Sequence, residues 1–309
     1  MKIKVVATSI SEKKGTIKEV KPYIELNENG VKGDAHAGSW HRQVSLLGVE
    51  SITKFSGEAG RNIGYGEFAE NIATEGFLLY EMHPFDRLVG EHVELEVTQI
   101  GKKCHGDSCV IFREVGNCVM PKEGIFARVL RNGKLEAGDE LEYVPRVFRA
   151  MIITLSDRAS RGEYEDKSGP LLAKLTAEHF SLNKRKLEII NEIIPDSEEK
   201  LSELIEYSKE QNYDLLITTG GTGIGTRDIT PDVVKKYFNK EIPGIMEHIR
   251  TKYGASIPNA LLSRGVAGVI GNMLVFTLPG SPKAIKEYCD EIFKILDHAY
   301  LMLYGIDGH

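Results

Sequence analysis

The C-terminal half of the chain is organised around residues 218–232, which read TTGGTGIGTRDITPD. An apolar run over residues 214–217 enters this stretch and predicts a buried strand. Thr230 followed by Pro231 predicts a helix start, with Thr230 as its capping residue. The glycines between them let the backbone approach a ligand closely, and successive N–H groups in such a loop can hold an anion. The stretch therefore predicts a phosphate-binding loop at the carboxyl end of a strand.

Two commoner phosphate-binding loops do not fit this spacing. A Walker A loop would end in Gly-Lys-Ser or Gly-Lys-Thr, and residues 218–232 contain no lysine. A dinucleotide-binding loop has the pattern Gly-x-Gly-x-x-Gly, whereas residues 221–225 read Gly-x-Gly-x-Gly. The helix of a dinucleotide-binding loop would also begin sooner after the glycines. A turn-rich structural loop stays open as an alternative, because Gly and Thr are common in loops.

Strand and helix patterns alternate on both sides of this loop. The predicted strands cover residues 148–155, 187–194 and 213–219, a strand pair covers 267–278, and the predicted helices cover 170–180, 196–211 and 281–304, with further helix starts at Pro231 and Pro243. Such alternation is typical of an α/β three-layer fold with a mostly parallel sheet. Ligands of these sheets bind beyond the carboxyl ends of the strands, where the loop lies.

Two carboxylates follow neighbouring predicted strands. Asp196 has two interpretations: it caps the helix that follows, with Glu199 completing a capping box, or it serves the site. Asp228 lies outside the predicted cap and next to Arg227. An acidic group beside a phosphate loop would repel the substrate unless a metal ion lay between them. The pair therefore predicts a Mg²⁺ site for a triphosphate, with Asp228 favoured over Asp196 as the ligand.

The N-terminal half, residues 1–144, is strand-like and punctuated by glycines. Alternating apolar and polar residues over 90–100 predict a half-buried strand, and residues 46–55 form the clearest helical pattern. Asn132-Gly133 between apolar positions predicts a hairpin. A β-rich, barrel-like domain over residues 1–145 follows, joined by a short Pro145-containing linker to the α/β domain over 146–309.

Three cysteines, Cys104, Cys109 and Cys118, lie within fifteen residues of one another. Their spacing does not match the Cys-x2-Cys pairs of structural zinc sites, so zinc is disfavoured. Two interpretations remain: buried thiols that pack as small apolar groups, or a thiolate that ligates a soft metal or carries sulfur.

Composition excludes several classes of protein. The 309 residues include 41% hydrophobic and 27% charged residues, which is ordinary for a globular protein. A formal net charge of −6 argues against a general nucleic-acid binder. There is neither a membrane-spanning apolar run nor a signal-peptide core, so we expect a cytoplasmic protein with no membrane partner.

Four polar blocks of the N-terminal half resemble the MOSC domain, named after the C-terminal part of molybdenum-cofactor sulfurases, over roughly residues 2–144. The blocks are GDAH at 33–36 with RQVSL at 42–46, ENI at 70–72, GKKC at 101–104 with Cys109, and CVMPKEGIF at 118–126. The resemblance implies binding of molybdenum cofactor, or handling of its sulfur through a cysteine, with Cys109 or Cys104 favoured over Cys118. It also implies pterin- or phosphate-facing roles for His36, Arg42 and Asn71, against ordinary turn or core structure.

The C-terminal half resembles the molybdopterin adenylyltransferases of the MogA and MoaB type over about residues 148–305. Four motifs carry the resemblance in order: SDRASRGEYED at 156–166, IPD at 194–196, the loop at 218–232, and LPGSPK at 278–283. The family transfers AMP from Mg-ATP to the terminal phosphate of molybdopterin and releases pyrophosphate. The resemblance implies catalytic roles for Asp196 and Asp228. It further implies nucleotide and phosphate binding by Gly220, Gly221, Thr222 and Gly223, and a pterin or phosphate cleft lined by Ser156, Asp157, Arg158, Gly280, Ser281 and Lys283.

The same resemblance implies a homo-oligomer, with a trimer favoured, and a downstream partner that inserts molybdate. Both halves thus point to one cofactor by separate routes. Two alternatives stay open: a non-catalytic molybdenum-cofactor carrier, and a cofactor-dependent reductase acting through the MOSC half. The presence of both Asp196 and Asp228 favours the transferase over the carrier.

Overall fold

The structure is a computed structural model that describes residues 1–103 and 118–306. The chain divides into two compact units, Met1–Arg146 and Val147–His309. Within the described residues, no helix combines the length and the apolar character needed to cross a membrane.

Seven strands of the first unit close into a barrel, because β1 pairs with β11 as well as with β6. The order around the barrel is β11-β7-β8-β9-β5-β6-β1. These strands are β1 Lys2–Ile10, β5 Val44–Gly48, β6 Ile72–Glu75, β7 Arg87–Val89, β8 Glu94–Ile100, β9 Ile125–Arg131 and β11 Glu140–Val144. Alternate residues such as Ile3, Val5 and Leu95 fill the interior, which is the burial pattern of a closed sheet.

Shorter elements surround the barrel. β2 Glu19–Lys21 pairs with the end of β1, and β10 Gly133–Glu136, β3 Tyr23–Asn27 and β4 Gly30–Val31 form a separate three-stranded sheet. Helix α1 covers Val49–Ala59, a 3-10 turn covers Leu79–Glu81, and α2 covers Met120–Glu123.

Two predictions for this half were wrong. The pattern over residues 46–55 is not one helix, since β5 occupies Val44–Gly48 and α1 begins only at Val49. The five residues of β5 are all buried between β6 and β9, so their apolar character reflects a central strand. The Asn132-Gly133 hairpin is also wrong, because β10 pairs with β3. A β-carbon at Gly133 would lie 2.3 Å from the His92 carbonyl oxygen, so the glycine permits a close backbone crossing.

The second unit contains a six-stranded sheet in the order β13-β12-β14-β17-β16-β15. Its strands are β12 Val147–Leu155, β13 Lys186–Ile194, β14 Leu215–Thr219, β15 Lys240–Glu241, β16 Ala267–Ile270 and β17 Met273–Leu278. The first three pairings along this order are parallel and the last two are antiparallel, which confirms the predicted mostly parallel sheet. The predicted β16–β17 strand pair turns at Gly271-Asn272, with Gly271 at φ +60°.

Helices and turns connect these strands. They are α3 Asp157–Ser160, α4 Ser168–Leu182, α5 Glu198–Glu210, α6 Thr230–Lys235, α7 Pro243–Gly254, a 3-10 segment Pro258–Leu262 and α8 Pro282–Leu303. Every residue of β14 and β17 is buried, as expected for central strands. Parallel pairing places the carboxyl ends of β12, β13, β14 and β17 at one edge of the sheet, where the predicted site residues follow each strand.

Candidate functional site

Gly220 lets the ends of three strands converge at this edge. Its backbone N–H donates to the Leu278 carbonyl at 2.9 Å, and its φ is +102°. A β-carbon at this position would lie only 2.3 Å from the Leu155 carbonyl oxygen. Any other residue would therefore separate β12 from the loop that follows β14.

Thr230 does not cap helix α6, which corrects the prediction from sequence. The N-cap is Ile229, and no side chain caps the helix. Thr230 Oγ1 instead donates to the Gly220 carbonyl at 2.9 Å, and its N–H donates to the Gly221 carbonyl at 3.1 Å. The hydroxyl is fully buried and fills the space beside Gly221, whose β-carbon would lie 2.4 Å away from it. Thr230 thus closes the base of the loop.

Asp228 lies against the glycines of the loop. Its Oδ2 accepts the Gly225 N–H at 2.8 Å, and a β-carbon at Gly223 would lie 2.8 Å from the same oxygen. The loop therefore needs glycine at 223 and 225 so that this carboxylate can fold over it. The arrangement places Asp228 beside the four predicted nucleotide-binding positions, Gly220, Gly221, Thr222 and Gly223.

Asp196 is not a helix cap. Ser197 caps α5, since its side chain accepts the Lys200 N–H at 3.3 Å and the helix begins at Glu198. Asp196 and Asp157 instead exchange hydrogen bonds: Asp196 N–H donates to Asp157 Oδ1 at 3.1 Å, and Asp157 N–H donates to Asp196 Oδ2 at 3.3 Å. The capping interpretation is removed, so the carboxylate of Asp196 is available to the loop.

The charge of Asp196 is costly where it lies. Burial, and then the negative charge of Asp228, raise the pKa of Asp196 above its usual range. Its Oδ1 would lie 3.7 Å from a β-carbon at Gly221. Asp196 and Asp228 therefore flank the glycine loop and repel one another across it, and a cation between them would relieve that repulsion.

The segment after β12 supplies a structural turn and an ion pair. Ser156 donates its N–H to the Ile194 carbonyl at 2.9 Å, and its side chain accepts the Ala159 N–H at the start of α3. Asp157 Oδ2 pairs with the guanidinium of Arg227, a side chain that is 68% exposed. Arg158 lies over the ring of Tyr164, 5.8 Å from its centroid. Of the three predicted cleft residues here, Asp157 is the one that contacts both Asp196 and the glycine loop.

Gly280, Ser281 and Lys283 lie at the start of α8 and line a cleft of about 440 Å³ next to the loop. A β-carbon at Gly280 would lie 3.4 Å from Gly220 Cα, so the two loops touch through their glycines. Ser281 caps the 22-residue helix by accepting the Ala284 N–H at 3.2 Å. Apolar side chains of the 3-10 segment, including Leu262, form the other wall, and Thr222 and Gly223 form the end nearest the loop.

Two residues near the site were missed by the sequence analysis. Asp166 accepts the Thr154 hydroxyl at 2.7 Å and the Ser168 N–H at 2.8 Å, so it ties the segment after β12 to α4. Asp166 ends a quoted motif, which was a usable signal. Arg264 contacts the glycine loop and α6. Arg264 lies in a segment that no motif covers, so only the fold could reveal it.

The N-terminal unit has a buried polar cluster centred on Asp34, which we call the Asp34 cluster: Ser11, Lys18, Asp34, Glu70 and Asn71. Asp34 Oδ2 accepts from Ser11 N–H at 3.1 Å, from Asn71 Nδ2 at 3.0 Å and from Lys18 Nζ. Side-chain exposure is 1% for Lys18 and 0% for Asp34, so this ion pair lies wholly inside the unit. Lys18 was not predicted.

The charged form of Asp34 is stabilised. Burial raises its pKa, but the hydrogen bond from His36 and the charge of Lys18 outweigh burial and lower it. Burial lowers the pKa of Lys18 against the attraction of Asp34. The geometry supports the carboxylate, since Asp34 accepts donors from Ser11, Lys18, His36 and Asn71.

Asn71 belongs to the core of this unit. It is 1% exposed, and its amide nitrogen donates to the Ser9 carbonyl at 3.1 Å and to Asp34. Its Oδ1 accepts from Ser45 N–H at 3.1 Å and from Ser45 Oγ at 2.9 Å. Both amide groups are thus used within the protein, which corresponds to the structural alternative stated above.

His36 and Arg42 lie at the same end of the barrel. His36 Nδ1 is 3.2 Å from Asp34 Oδ1, and the His36 carbonyl accepts the Trp40 indole N–H at 2.8 Å. The Arg42 guanidinium lies 4.8 Å from the centroid of that indole and 6.0 Å from the Phe126 ring, and Lys102 Nζ lies 5.9 Å from the same Phe126 ring. Three side chains that carry or can gain positive charge therefore gather here, which is a suitable arrangement for an anion.

Of the three clustered cysteines, only Cys118 lies within the residues that the structure describes. Cys118 is half-buried and packs against the apolar cluster that contains Val119, Met120 and Phe126. Cys104 and Cys109 lie outside the described residues. Within residues 1–103 and 118–306, no three His, Cys, Asp or Glu side chains are placed to hold a metal ion.

Comparison with known proteins finds a matching family model for each half. The model described as "Probable molybdopterin binding domain" matches residues 151–298, and the MOSC domain model matches residues 33–142. The molybdopterin adenylyltransferase of Helicobacter pylori (strain J99) is 38% identical over 155 residues, which are 50% of this chain and 86% of the relative. That of Pyrococcus furiosus is 39% identical over 165 residues, which are 50% of this chain and 93% of the relative.

A solved structure is also similar to the C-terminal half. It is the tungsten cofactor synthesizing protein MoaB from Pyrococcus furiosus, which is 36% identical, with a TM-score of 0.43. The match covers 51% of this chain and 99% of that protein.

Proposed function

Because the chain belongs, through its C-terminal half, to the molybdopterin adenylyltransferase family, we propose that this half transfers AMP from ATP to molybdopterin. An oxygen of the terminal phosphate of molybdopterin attacks the α-phosphorus of ATP. One P–O bond forms there, and the bond from the α-phosphorus to the bridging oxygen of the β-phosphate breaks. Pyrophosphate leaves with the bonding electrons, so the reaction needs no oxidant or reductant.

The observation that carries this proposal is the pair of carboxylates on the glycine loop. Burial and Asp228 raise the pKa of Asp196, so the pair is under electrostatic strain without a cation. Carboxylate oxygens are the ligands Mg²⁺ prefers, and Mg²⁺ accompanies ATP. The residues therefore fit a Mg²⁺ ion held by Asp228, with Asp196 as a second ligand or an orienting group. Bound there, the ion would supply positive charge against the triphosphate.

The chain's own residues would hold the two substrates. Gly221 and Gly223 present backbone without a side chain to the phosphates, and the N-terminus of α8 at Ser281 offers a positive helix end to a second anion. The cleft of about 440 Å³ has an apolar wall suited to a flat heterocycle, and Lys283 is an exposed cation at its rim. Catalysis by this arrangement is positioning plus electrostatic stabilisation, with no covalent nucleophile.

The test is adenylyl transfer by the full chain supplied with Mg-ATP and molybdopterin. We expect pyrophosphate and adenylylated molybdopterin in equal amounts, and a loss of at least about 100-fold in kcat for Asp228→Asn. Asp297→Asn is the matched control, because Asp297 is an exposed carboxylate whose recorded partner is His179, outside this site. Wild-type chain that forms no pyrophosphate, or Asp228→Asn that forms it at the wild-type rate, would refute the proposal.

We infer a separate role for the MOSC half: it binds a phosphate-bearing pterin at the barrel end that carries His36, Arg42 and Lys102. The supporting observation is the gathering of these side chains beside Trp40. Trp40 is the sole tryptophan in the sequence and is 37% exposed, so its fluorescence reports on this end of the barrel. An aromatic plane next to a guanidinium suits a flat heterocycle with an anionic tail.

Fluorescence titration with molybdopterin tests this role. We expect Trp40 quenching, and an affinity about tenfold lower for Arg42→Ala, which is the loss of one charged contact. Arg61→Ala is the control, since Arg61 is exposed and pairs with Glu67 in another loop. Equal affinity for wild type and Arg42→Ala would overturn the inference. Molybdenum content of the purified chain then separates the carrier and reductase alternatives from a site that binds only the metal-free pterin.

The trimer and the molybdate-insertion partner stay predictions of the family resemblance. Sedimentation of the full chain tests the trimer, with a monomer as the contrary result.

A further inference from the structure

Arg264 forms hydrogen bonds to the glycine loop, to Asp228 and to helix α6. We infer that Arg264 is a positioning residue for adenylyl transfer: it sets the place of the Asp228 carboxylate without touching substrate. The inference rests on the proposed function of the C-terminal half.

The first support is the set of backbone groups that Arg264 holds. Its N–H donates to the Thr222 carbonyl at 2.8 Å, and its Nε donates to the Gly223 carbonyl at 2.7 Å. Its Nη2 donates to the Asp228 carbonyl. The backbone of Arg264 thus holds one of these carbonyls, and its side chain holds the other two, Gly223 and Asp228, which lie on opposite arms of the turn over residues 222–228. The side chain therefore fixes the width of that turn. Loops rich in glycine have the largest conformational freedom to lose, and such a restraint has most effect there.

The second support is how the guanidinium itself is held. Nη1 donates to both carboxylate oxygens of Asp232, at 2.9 and 2.8 Å. Asp232 lies in the first turn of α6, so the loop is fixed to a regular element at that point. Nε, Nη1 and Nη2 are all engaged in a planar fan, which the three donors of a lysine ammonium cannot reproduce.

The third support is what Arg264 leaves untouched. It binds the carbonyl of Asp228, while the carboxylate of Asp228 accepts the Gly225 N–H and points to the loop glycines. The carboxylate thus remains available to a cation. The neighbouring Ser263 lines the cleft and accepts the Tyr288 hydroxyl, so Arg264 also couples the cleft wall to the metal-binding loop.

A matched control lies one helix away. Arg250 of α7 donates to the Ser263 carbonyl at 3.4 Å and to the Gly265 carbonyl at 3.0 Å. It therefore anchors the residues on either side of Arg264. Both of these acceptors lie outside the loop over 222–228. Arg250→Gln removes an arginine of the same neighbourhood with a similar number of backbone contacts.

The experiment compares Arg264→Gln, Arg264→Lys and Arg250→Gln in the full chain. Steady-state rates of pyrophosphate release are measured against ATP, molybdopterin and Mg²⁺, and amide hydrogen exchange is followed over residues 220–228. For Arg264→Gln we expect kcat to fall about 100-fold, since a displacement near 1 Å can cost that much. The Mg²⁺ concentration for half-maximal rate should rise, and loop amides should exchange faster. The kcat of Arg264→Lys should lie between those of Arg264→Gln and the wild type. Arg250→Gln should keep kcat within about threefold of the wild-type value.

Two results would overturn the inference. One is an Arg264→Gln enzyme with wild-type kcat and Mg²⁺ dependence. The other is Arg250→Gln losing kcat as severely as Arg264→Gln, which would indicate a general structural role. If Arg264→Gln does not fold, Arg264→Lys decides the matter by the same readouts. If the wild-type chain lacks transfer activity, the proposed function fails, and hydrogen exchange then judges the restraint alone: equal exchange in both glutamine variants contradicts it.

Discussion

The Asp34 cluster of the barrel and the Asp196–Asp228 pair of the α/β unit place carboxylates in opposite situations. Asp34 lies fully inside the protein, and its oxygens accept donors from four residues. Asp196 lies partly exposed, accepts a long bond from Asp157 N–H, and has its pKa raised by burial and by Asp228. The first carboxylate is satisfied by the fold, while the second is left with a charge that the fold does not neutralise.

Internal partners separate structural acids from functional ones within one chain. A buried charge whose partners are all internal holds elements together, and removing it leaves its partners unpaired. A carboxylate held near another carboxylate destabilises the fold, and such strain persists where a ligand or a reaction uses it. On this basis we propose that Asp34 organises the barrel and that Asp196 serves catalysis.

The largest expected effect on stability is that of Asp34→Asn. It leaves Lys18 buried opposite a neutral amide, and we expect the barrel to lose about 3–5 kcal/mol. Urea unfolding followed by the fluorescence of Trp40 measures this transition. Glu25→Gln is the control. It removes an exposed carboxylate and its pair with Lys32, and the urea midpoint should stay unchanged. A shift below 1 kcal/mol for Asp34→Asn would break the contrast between the two regions.

The pH dependence of the barrel sharpens the same contrast. Glu70 is fully buried, and burial raises its pKa to about 7 against hydrogen bonds from Gly66 and neighbouring backbone groups. When folding raises the pKa of a group, that group contributes its full stability at pH values below its pKa in the unfolded state. The contribution is lost as the pH rises to the pKa in the folded state. We therefore expect the free energy of unfolding, followed by Trp40 fluorescence, to fall by roughly 3 kcal/mol between pH 4.5 and 7.

Glu70→Gln is the check on this pH dependence, since the amide cannot ionise. Its stability should be nearly flat over the same range, and it should exceed that of the wild type at pH 8. A wild-type profile that rises with pH through this window would contradict the assignment to Glu70.

The smallest expected effect is that of Ser197→Ala. Ser197 caps α5 next to Asp196, so losing the cap should cost about 1 kcal/mol in the unfolding of the α/β unit. Adenylyl transfer should remain at the wild-type rate, because the Ser197 side chain accepts the Lys200 N–H of α5 and so is used within the helix start. A large loss of transfer with no loss of stability would mean that the roles of residues 196 and 197 are reversed.

The sequence predicted the α/β unit better than the barrel, for physical reasons. In the α/β unit, β12, β14 and β17 are nearly continuous apolar runs, each followed by its own loop, so local patterns identify both these strands and the site edge. In the barrel, β10 pairs with β3 across more than a hundred residues, and the local Asn132-Gly133 signal indicated the wrong partner. Pairing over such separations depends on the closed sheet and not on neighbouring residues.

Single site residues were predictable only where a motif contains them. The quoted motifs hold Asp196, Asp228 and the loop glycines, but they could not decide between Asp196 and Ser197 as the helix cap. Lys18 and Arg264 lie outside the motifs, and their roles depend on hydrogen bonds to residues 16 and 42 positions away, respectively, at Asp34 and Thr222. Long-range polar contacts of this kind have no periodicity to read in a sequence.

We propose that Asp196 keeps a charge that the fold disfavours because the reaction uses that charge. The most direct test is the melting temperature of the α/β transition for Asp196→Asn at pH 8, measured beside its rate of pyrophosphate release. Since the folded-state pKa of Asp196 is raised, its ionised form costs stability above that pKa, and the amide removes the cost. We expect a higher melting temperature together with a transfer rate at least about 100-fold lower. A lower melting temperature with the transfer rate intact would show that Asp196 is a structural residue and would contradict the account.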